Sequence, residues 1–168
     1  IAEVHLHPEV NAEVKVSAKD GFQIEITKVV SMKPEQVYDS FVTDLPRWWD
    51  IDHTYTQKRD NLSLDLDKHC LLERLPKGGF VRHMEVVFHQ PGEVLRLSGG
   101  LGPLQGMGVA GAMTIAFEPL EDGKTRVKLN YVVTGASFQN LDSIAKPADQ
   151  VWGKQLTGFH TFCEPQGK

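Results

Sequence analysis

Cysteine is scarce, basic charge is outnumbered, and long apolar runs are missing. The 168-residue chain carries 18 Lys and Arg against 22 Asp and Glu, a formal net charge of -4. No Lys/Arg run concentrates the positive charge, so the electrostatic footprint of a nucleic-acid binder is absent. No uninterrupted apolar stretch approaches the roughly 18–20 residues that a membrane-spanning helix needs, so no membrane insertion is expected. Cys70 and Cys163 are too few to staple a disulfide scaffold, and two buried free thiols are the simpler reading, although pairing stays open.

Other signatures are also missing. Among seven histidines, His5 and His7 stand two apart in the expected tail segment, and His53, His69, His83, His89 and His160 are scattered. No HxxxH or CxxC spacing accompanies them, so neither a metal nor any other cofactor is expected. No Ser-His-Asp order or nucleophile elbow is visible. Residues 106–111 (GMGVAG) spell the dinucleotide fingerprint, but 112–118 alternate as a strand where the fingerprint requires a helix. Asn61-Leu62-Ser63 is a glycosylation sequon in letters only. There is no internal repeat, low-complexity tract or interior linker.

What is present is a patterned globular chain, 40% hydrophobic and 24% charged, the size of one domain. Val14 and Val16 alternate with polar neighbours, Asp20-Gly21 offers a hairpin turn, and Phe22, Ile24 and Ile26 alternate again. The period then switches. Pro34 suits a first helical position, with Val37 and Phe41 four apart, and Asp44 is placed to cap a second short helix at 45–49. From Asn61 to Val133 the pattern is strand after strand. Leu62, Leu64 and Leu66 alternate, segment 69–75 follows, and Phe80, Met84, Val86 and Phe88 read as one face of the next strand. Leu95 and Leu97, then Met113, Ile115 and Phe117, then Val127, Leu129, Tyr131 and Val133 complete an antiparallel meander.

After Pro147 the residues Ala148, Val151, Trp152, Gln155, Leu156, Phe159 and Cys163 recur at three- and four-residue steps. They predict an amphipathic helix with a wide apolar stripe. Gly153 and Gly158 lower its helix propensity and suggest that something packs close to the backbone there. The fold class is therefore α+β: a curved antiparallel sheet wrapped around a long C-terminal helix, with two short helices after the first strands.

The order of elements and the local text resemble the START-like (SRPBCC) superfamily with its helix-grip fold. The text in question is TKVVSMKPEQVYDSFVTDLPRWWD for the paired helices, HTY just after, VFHQPGEVLRLSGGLGPLQGMGVAGAMTIAFEP mid-chain and DQVWGKQLTGFHTF for the closing helix. That superfamily includes the birch-pollen-allergen-like proteins, polyketide aromatase/cyclases and activators of the heat-shock-protein ATPase, and the text looks closest to its small bacterial stand-alone members. The resemblance implies a single helix-grip domain over residues 13–168, preceded by a tail or edge strand at 1–12. It implies a cavity between the sheet and the long helix, holding a hydrophobic or amphipathic small molecule or lipid. The relatives it points to are often exported, and a chain that begins at Ile1 fits removal of a signal, so a periplasmic or secreted location is favoured over a cytoplasmic one.

The residues expected to line that cavity are Trp48, Trp49, Tyr55, Leu104, Met107, Met113, Tyr131 and Trp152. Adjacent indoles cannot both point inward from one helical turn, so one of Trp48 and Trp49 is expected on the core and the other at the rim, with Trp152 as its partner. The alternative is that both plug the sheet edge. Glycine-dense residues 99–111 read as a crossing between strands, and Leu101, Leu104 and Met107 could form its apolar lid. Glu73 has the parity of Leu71 and Leu75, whereas His83 and Glu85 run out of phase with Met84, Val86 and Phe88. On the convex face these groups would be solvated. If Glu73 and His83 face each other inside, they form an acid/base pair, with Tyr55 or Tyr131 as helper. Arg74 and Arg96 are expected to be exposed strand residues. The leading reading is a binder of a hydrophobic small molecule. A cyclase/aromatase-like enzyme using Glu73 and His83 is the alternative, and a co-chaperone like the heat-shock ATPase activators is a third.

Overall fold

The computed structural model describes residues 11–164, so His5, His7 and most of the expected tail lie outside the described residues. A hairpin opens the chain, β1 (Asn11–Ala18) and β2 (Gly21–Val30). Two short helices follow, α1 (Pro34–Thr43) and α2 (Leu45–Trp48). Then come β3 (Leu62–Asp65), β4 (Cys70–Arg74), β5 (Phe80–Gln90), β6 (Val94–Ser98), β7 (Ala110–Pro119) and β8 (Thr125–Thr134). The long helix α3 (Asp142–Cys163) closes the domain. All eight strands form one antiparallel sheet in the order β1-β2-β8-β7-β6-β5-β4-β3. The sheet curves around α3, and a helix-grip arrangement results.

Period-two burial makes the concave face. Phe22, Ile24 and Ile26 of β2, Met113, Ile115 and Phe117 of β7, and Val127, Leu129, Tyr131 and Val133 of β8 are all buried. Against them α3 lays Trp152, Leu156, Phe159 and Cys163, also buried. Removing such a side chain costs about 2–5 kcal/mol, so this seam fixes the helix on the sheet. A Cβ on Gly158 would stand 3.1 Å from the Trp48 carbonyl oxygen, which accounts for a glycine inside a helix there. Both cysteines are free and buried, and burial pushes the Cys163 thiol up to about 12.

Three local expectations are corrected. First, α3 begins at Asp142, so Pro147 lies inside the helix rather than before it. Proline removes the hydrogen bond that would have reached the Ser143 carbonyl, but Ser143 is exposed and water can replace it. Second, Phe80 and Phe88 do not share the inward face of Met84 and Val86; they are 67% and 49% exposed. Two bulges reset the phase of β5. Leu71 pairs with Met84 and Leu72 with Arg82, leaving His83 as the extra residue; Val86 pairs with Leu97 and Phe88 with Arg96, leaving Val87. Each extra residue swaps the faces of everything beyond it. Third, both tryptophans are buried, Trp48 and Trp49 alike. Helix α2 ends at Trp48, and Trp49 adopts extended backbone (φ -65, ψ 139), so consecutive indoles are turned into the interior from different directions.

Candidate functional site

Helix and sheet do not close on each other completely. Between the first half of α3 and the concave face lies a cavity of about 390 Å³. Its floor and walls come from Trp49 after α2, Leu62 of β3, His83 of β5, Tyr131 of β8, and Ile144, Ala148, Val151 and Trp152 of α3. Residues 52–55 and 101–104 border it from two loops. Trp49 and Trp152 meet edge to face at 5.3 Å between ring centroids, and Trp48 packs behind them on Phe41 and Phe159. The wall is thus aromatic and aliphatic, with few polar groups.

The most structured of those polar groups is a pair. His83 Nε2 lies 2.9 Å from Glu73 Oε1, and both residues are buried. Glu73 also accepts the backbone N–H groups of Tyr55 (3.1 Å, to Oε1) and Thr56 (2.7 Å, to Oε2). Burial pushes its carboxyl up, but the hydrogen bonds from Tyr55, Thr56 and His83 together outweigh that and hold it below its ordinary value. An ionised carboxylate can only accept, so His83 donates from Nε2, which leaves Nδ1 as the basic nitrogen of the neutral ring. Glu73 itself does not line the cavity; His83 does. The Tyr55 ring stacks on the imidazole at 5.9 Å between centroids with 15° between planes.

The loop that carries Tyr55 is pinned at both ends. At its start the Asp50 N–H donates to Gln155 Oε1 of α3 (3.0 Å), and Lys154 Nζ lies 2.8 Å from Asp50 Oδ2. The Lys154 hydrogen bond lowers the Asp50 carboxyl against the opposing effect of burial. At its end Glu73 holds Tyr55 and Thr56. Asp52, His53 and Thr54 lie between the two anchors and border the cavity. Across the mouth, Tyr131 Oη donates to the Gly99 carbonyl (2.8 Å), and burial pushes its phenol up to about 12, so it stays a donor. Gly111 makes this possible: a Cβ there would fall on the Gly99 carbonyl oxygen.

No protein-family model matches the chain, and no curated protein matches it. Solved structures do. A conserved protein of unknown function from Enterococcus faecalis superposes with a TM-score of 0.63 at 11% identity, covering 92% of this chain and 77% of that one. The di-domain ARO/CYC StfQ of the steffimycin biosynthetic pathway gives 0.60 at 11% identity, over 88% of this chain and 52% of its own. An HSP90 activator from Plasmodium falciparum gives 0.53 at 16% identity, over 77% and 86%. These likenesses are of fold: an α+β helix grip, with a curved antiparallel sheet around a long C-terminal helix.

Within this helix grip the residues singled out by sequence fall into two groups. Trp49, Tyr55, Leu104, Tyr131 and Trp152 border the cavity with His83. Trp48 lies behind it, Met113 is buried in the core of β7, and Met107 packs half-buried under its loop; none of these three borders it. Of the loop residues, Leu101 and Leu104 face the cavity together with Gly102 and Pro103. Arg74 and Arg96 are exposed, and Arg96 lies over the Phe88 ring at 5.5 Å. Asp52, His53, Thr54, Ile144 and Pro147 also border the cavity, and the sequence pattern does not single them out for it. A signal for the loop existed in Asp50, Thr54 and Thr56, whose side chains cap the backbone N–H groups of Asp52, Gln57 and Lys58. Among the described residues, no group of three or more His, Cys, Asp or Glu is placed to hold a metal, and no helix is long and apolar enough to cross a membrane.

Proposed function

We propose that the protein binds a hydrophobic or amphipathic small molecule in the cavity between the sheet and α3. The observation that carries this reading is the cavity wall: Trp49, Trp152, Leu62, Leu104, Ile144 and Val151 converge on about 390 Å³ that no side chain fills. That volume is in the range of small-molecule sites, and a predominantly apolar lining with a few placed polar groups is their usual composition. The solved structures of the same fold are consistent with it, among them the di-domain ARO/CYC StfQ. Titration of lipids and planar aromatics against tryptophan fluorescence, with native mass spectrometry of gently purified protein, tests it.

A second reading rests on the Glu73–His83 pair. An ionised Glu73 accepts from His83 Nε2 and so holds the ring in the tautomer whose Nδ1 is free to take a proton, an arrangement suited to a general base acting on a bound ligand. In that reading His83 takes a proton from an acidic C–H or O–H of the ligand, as a cyclase/aromatase-like reaction requires. Glu73 positions the imidazole, and Tyr55 covers it. A His83→Phe variant that still binds but no longer converts a polyketide-type ligand supports catalysis; unchanged ligand in the wild type supports binding alone.

A further inference from the structure

We infer that the open end of the grip is a docking surface for an anionic lipid bilayer, from which an apolar ligand passes into the cavity. The passage of ligand rests on the binding reading above; the docking does not.

Large aromatic side chains are left in solvent at this end. Phe80 is 67% exposed, Phe138 77% and Tyr55 63%. The topology brings them together. Phe80 opens β5, whose Glu85 pairs with Ser98 at the end of β6, and Phe138 follows the end of β8, whose Thr134 pairs with Ala110 at the start of β7. The 99–109 loop spans the gap between them and is tied to both sides. Gln105 Nε2 donates to the Arg82 carbonyl (2.8 Å), and Gln139 Nε2 donates to the Met107 carbonyl (2.6 Å). Phe80, the loop and Phe138 therefore form one continuous rim. Its inner side, at Leu101 and Leu104, is the cavity wall.

The charge along this rim is uneven. Residues 99–113 and 129–141 contain no ionisable Asp, Glu, Lys or Arg side chain, whereas 74–84 hold Arg74, Lys77 and Arg82 and no carboxylate. Arg74 and Arg82 line a groove of about 460 Å³ on the outer face, together with Lys68 and next to Phe80; no acidic residue lines it. Arg74 stands opposite Phe80 and Arg82 opposite Leu72, which makes the two guanidiniums diagonal neighbours on one face. Among the described residues neither they nor Lys77 make an ion pair.

This pattern suits a headgroup boundary. Exposed aromatic rings and an uncharged loop enter the interface, while unpaired cations beside them meet lipid phosphates. The chain as a whole is acidic, so the local cation excess is a property of this rim and not of the average surface. No helix of the described residues is long and apolar enough to cross a membrane, and the inferred docking is peripheral.

The test is co-sedimentation of the whole chain with phosphatidylcholine vesicles, with and without phosphatidylglycerol, at low and high salt. Binding is expected only with phosphatidylglycerol and to weaken with salt. The double variants Phe80→Ser/Phe138→Ser and Arg74→Gln/Arg82→Gln should each partition about tenfold less. None of these four residues borders the cavity, so ligand quenching of tryptophan and the melting temperature should stay as in the wild type. No pelleting, equal pelleting with neutral vesicles, or undiminished pelleting of either variant overturns the docking surface. Docking without any ligand quenching would leave the surface standing and overturn the binding reading instead.

Discussion

His83 and Glu73 meet across the β4–β5 pair only because β5 carries an extra residue at His83. Strict alternation with Met84 inward would turn the imidazole out to solvent. The bulge puts both His83 and Met84 inside, at 8% and 2% exposure, and lets Nε2 come within 2.9 Å of the carboxylate. A bulge next to a buried polar pair is a feature that sheets use to aim a side chain.

Replacing Glu73 by Gln removes an ionised acceptor from three donors. The expected loss is about 2–3 kcal/mol of folding stability near neutral pH, read from urea unfolding. The pH dependence has a definite sign. Because the folded carboxyl titrates below its ordinary 4.5, the unfolded chain takes up the proton first as the pH falls. Stability from Glu73 is therefore full above that range and lost as the pH drops through it, and Glu73→Gln should flatten this acid limb.

His160 acts in a higher pH window. Burial first, and Lys28 second, lower it from its ordinary 6.5, against the opposing effect of Glu164 at 3.1 Å. The folded state resists protonation more than the unfolded chain does, so stability should begin to fall as the pH drops through 6.5. A His160→Gln variant should lose that component in melts run across this range.

Much of the fold was readable in the sequence, and the failures share a cause. Phe22, Ile24 and Ile26, or Val127 through Val133, report their faces by simple alternation because their strands pair without interruption. Phe80 and Phe88 misreport theirs because two bulges intervene, and a bulge leaves no residue signature of its own. Pro147 marked a false helix start because an exposed carbonyl tolerates the missing N–H. Trp49 escaped the one-turn argument because α2 stops a residue earlier. The cavity itself was only implied by the resemblance to helix-grip proteins; which residues border it depended on loop geometry at 50–56, fixed by contacts with Gln155 and Glu73 that are distant in the chain.

Gly111 is a sensitive position for the cavity mouth. In Gly111→Ala the new methyl would displace the Gly99 carbonyl that accepts from Tyr131, where β6 hands over to the 99–109 loop. The expected cost is about 2–3 kcal/mol by overpacking, seen as a lower melting temperature.

Ala148 offers a way to fill the cavity from α3, where it is half-buried and borders the open volume. Ala148→Trp should fold with a far-ultraviolet spectrum like the wild type and bind no ligand. Retained affinity in that variant would place the ligand elsewhere.

The most direct measurement is a tryptophan-fluorescence titration of wild type and Ala148→Trp with a panel of lipids and planar aromatic compounds, followed by native mass spectrometry of the mixtures. The account predicts saturable quenching, centred on Trp49 and Trp152, and a mass adduct for the wild type, both absent in Ala148→Trp. A folded wild-type protein that shows neither quenching nor an adduct with any member of the panel would contradict it.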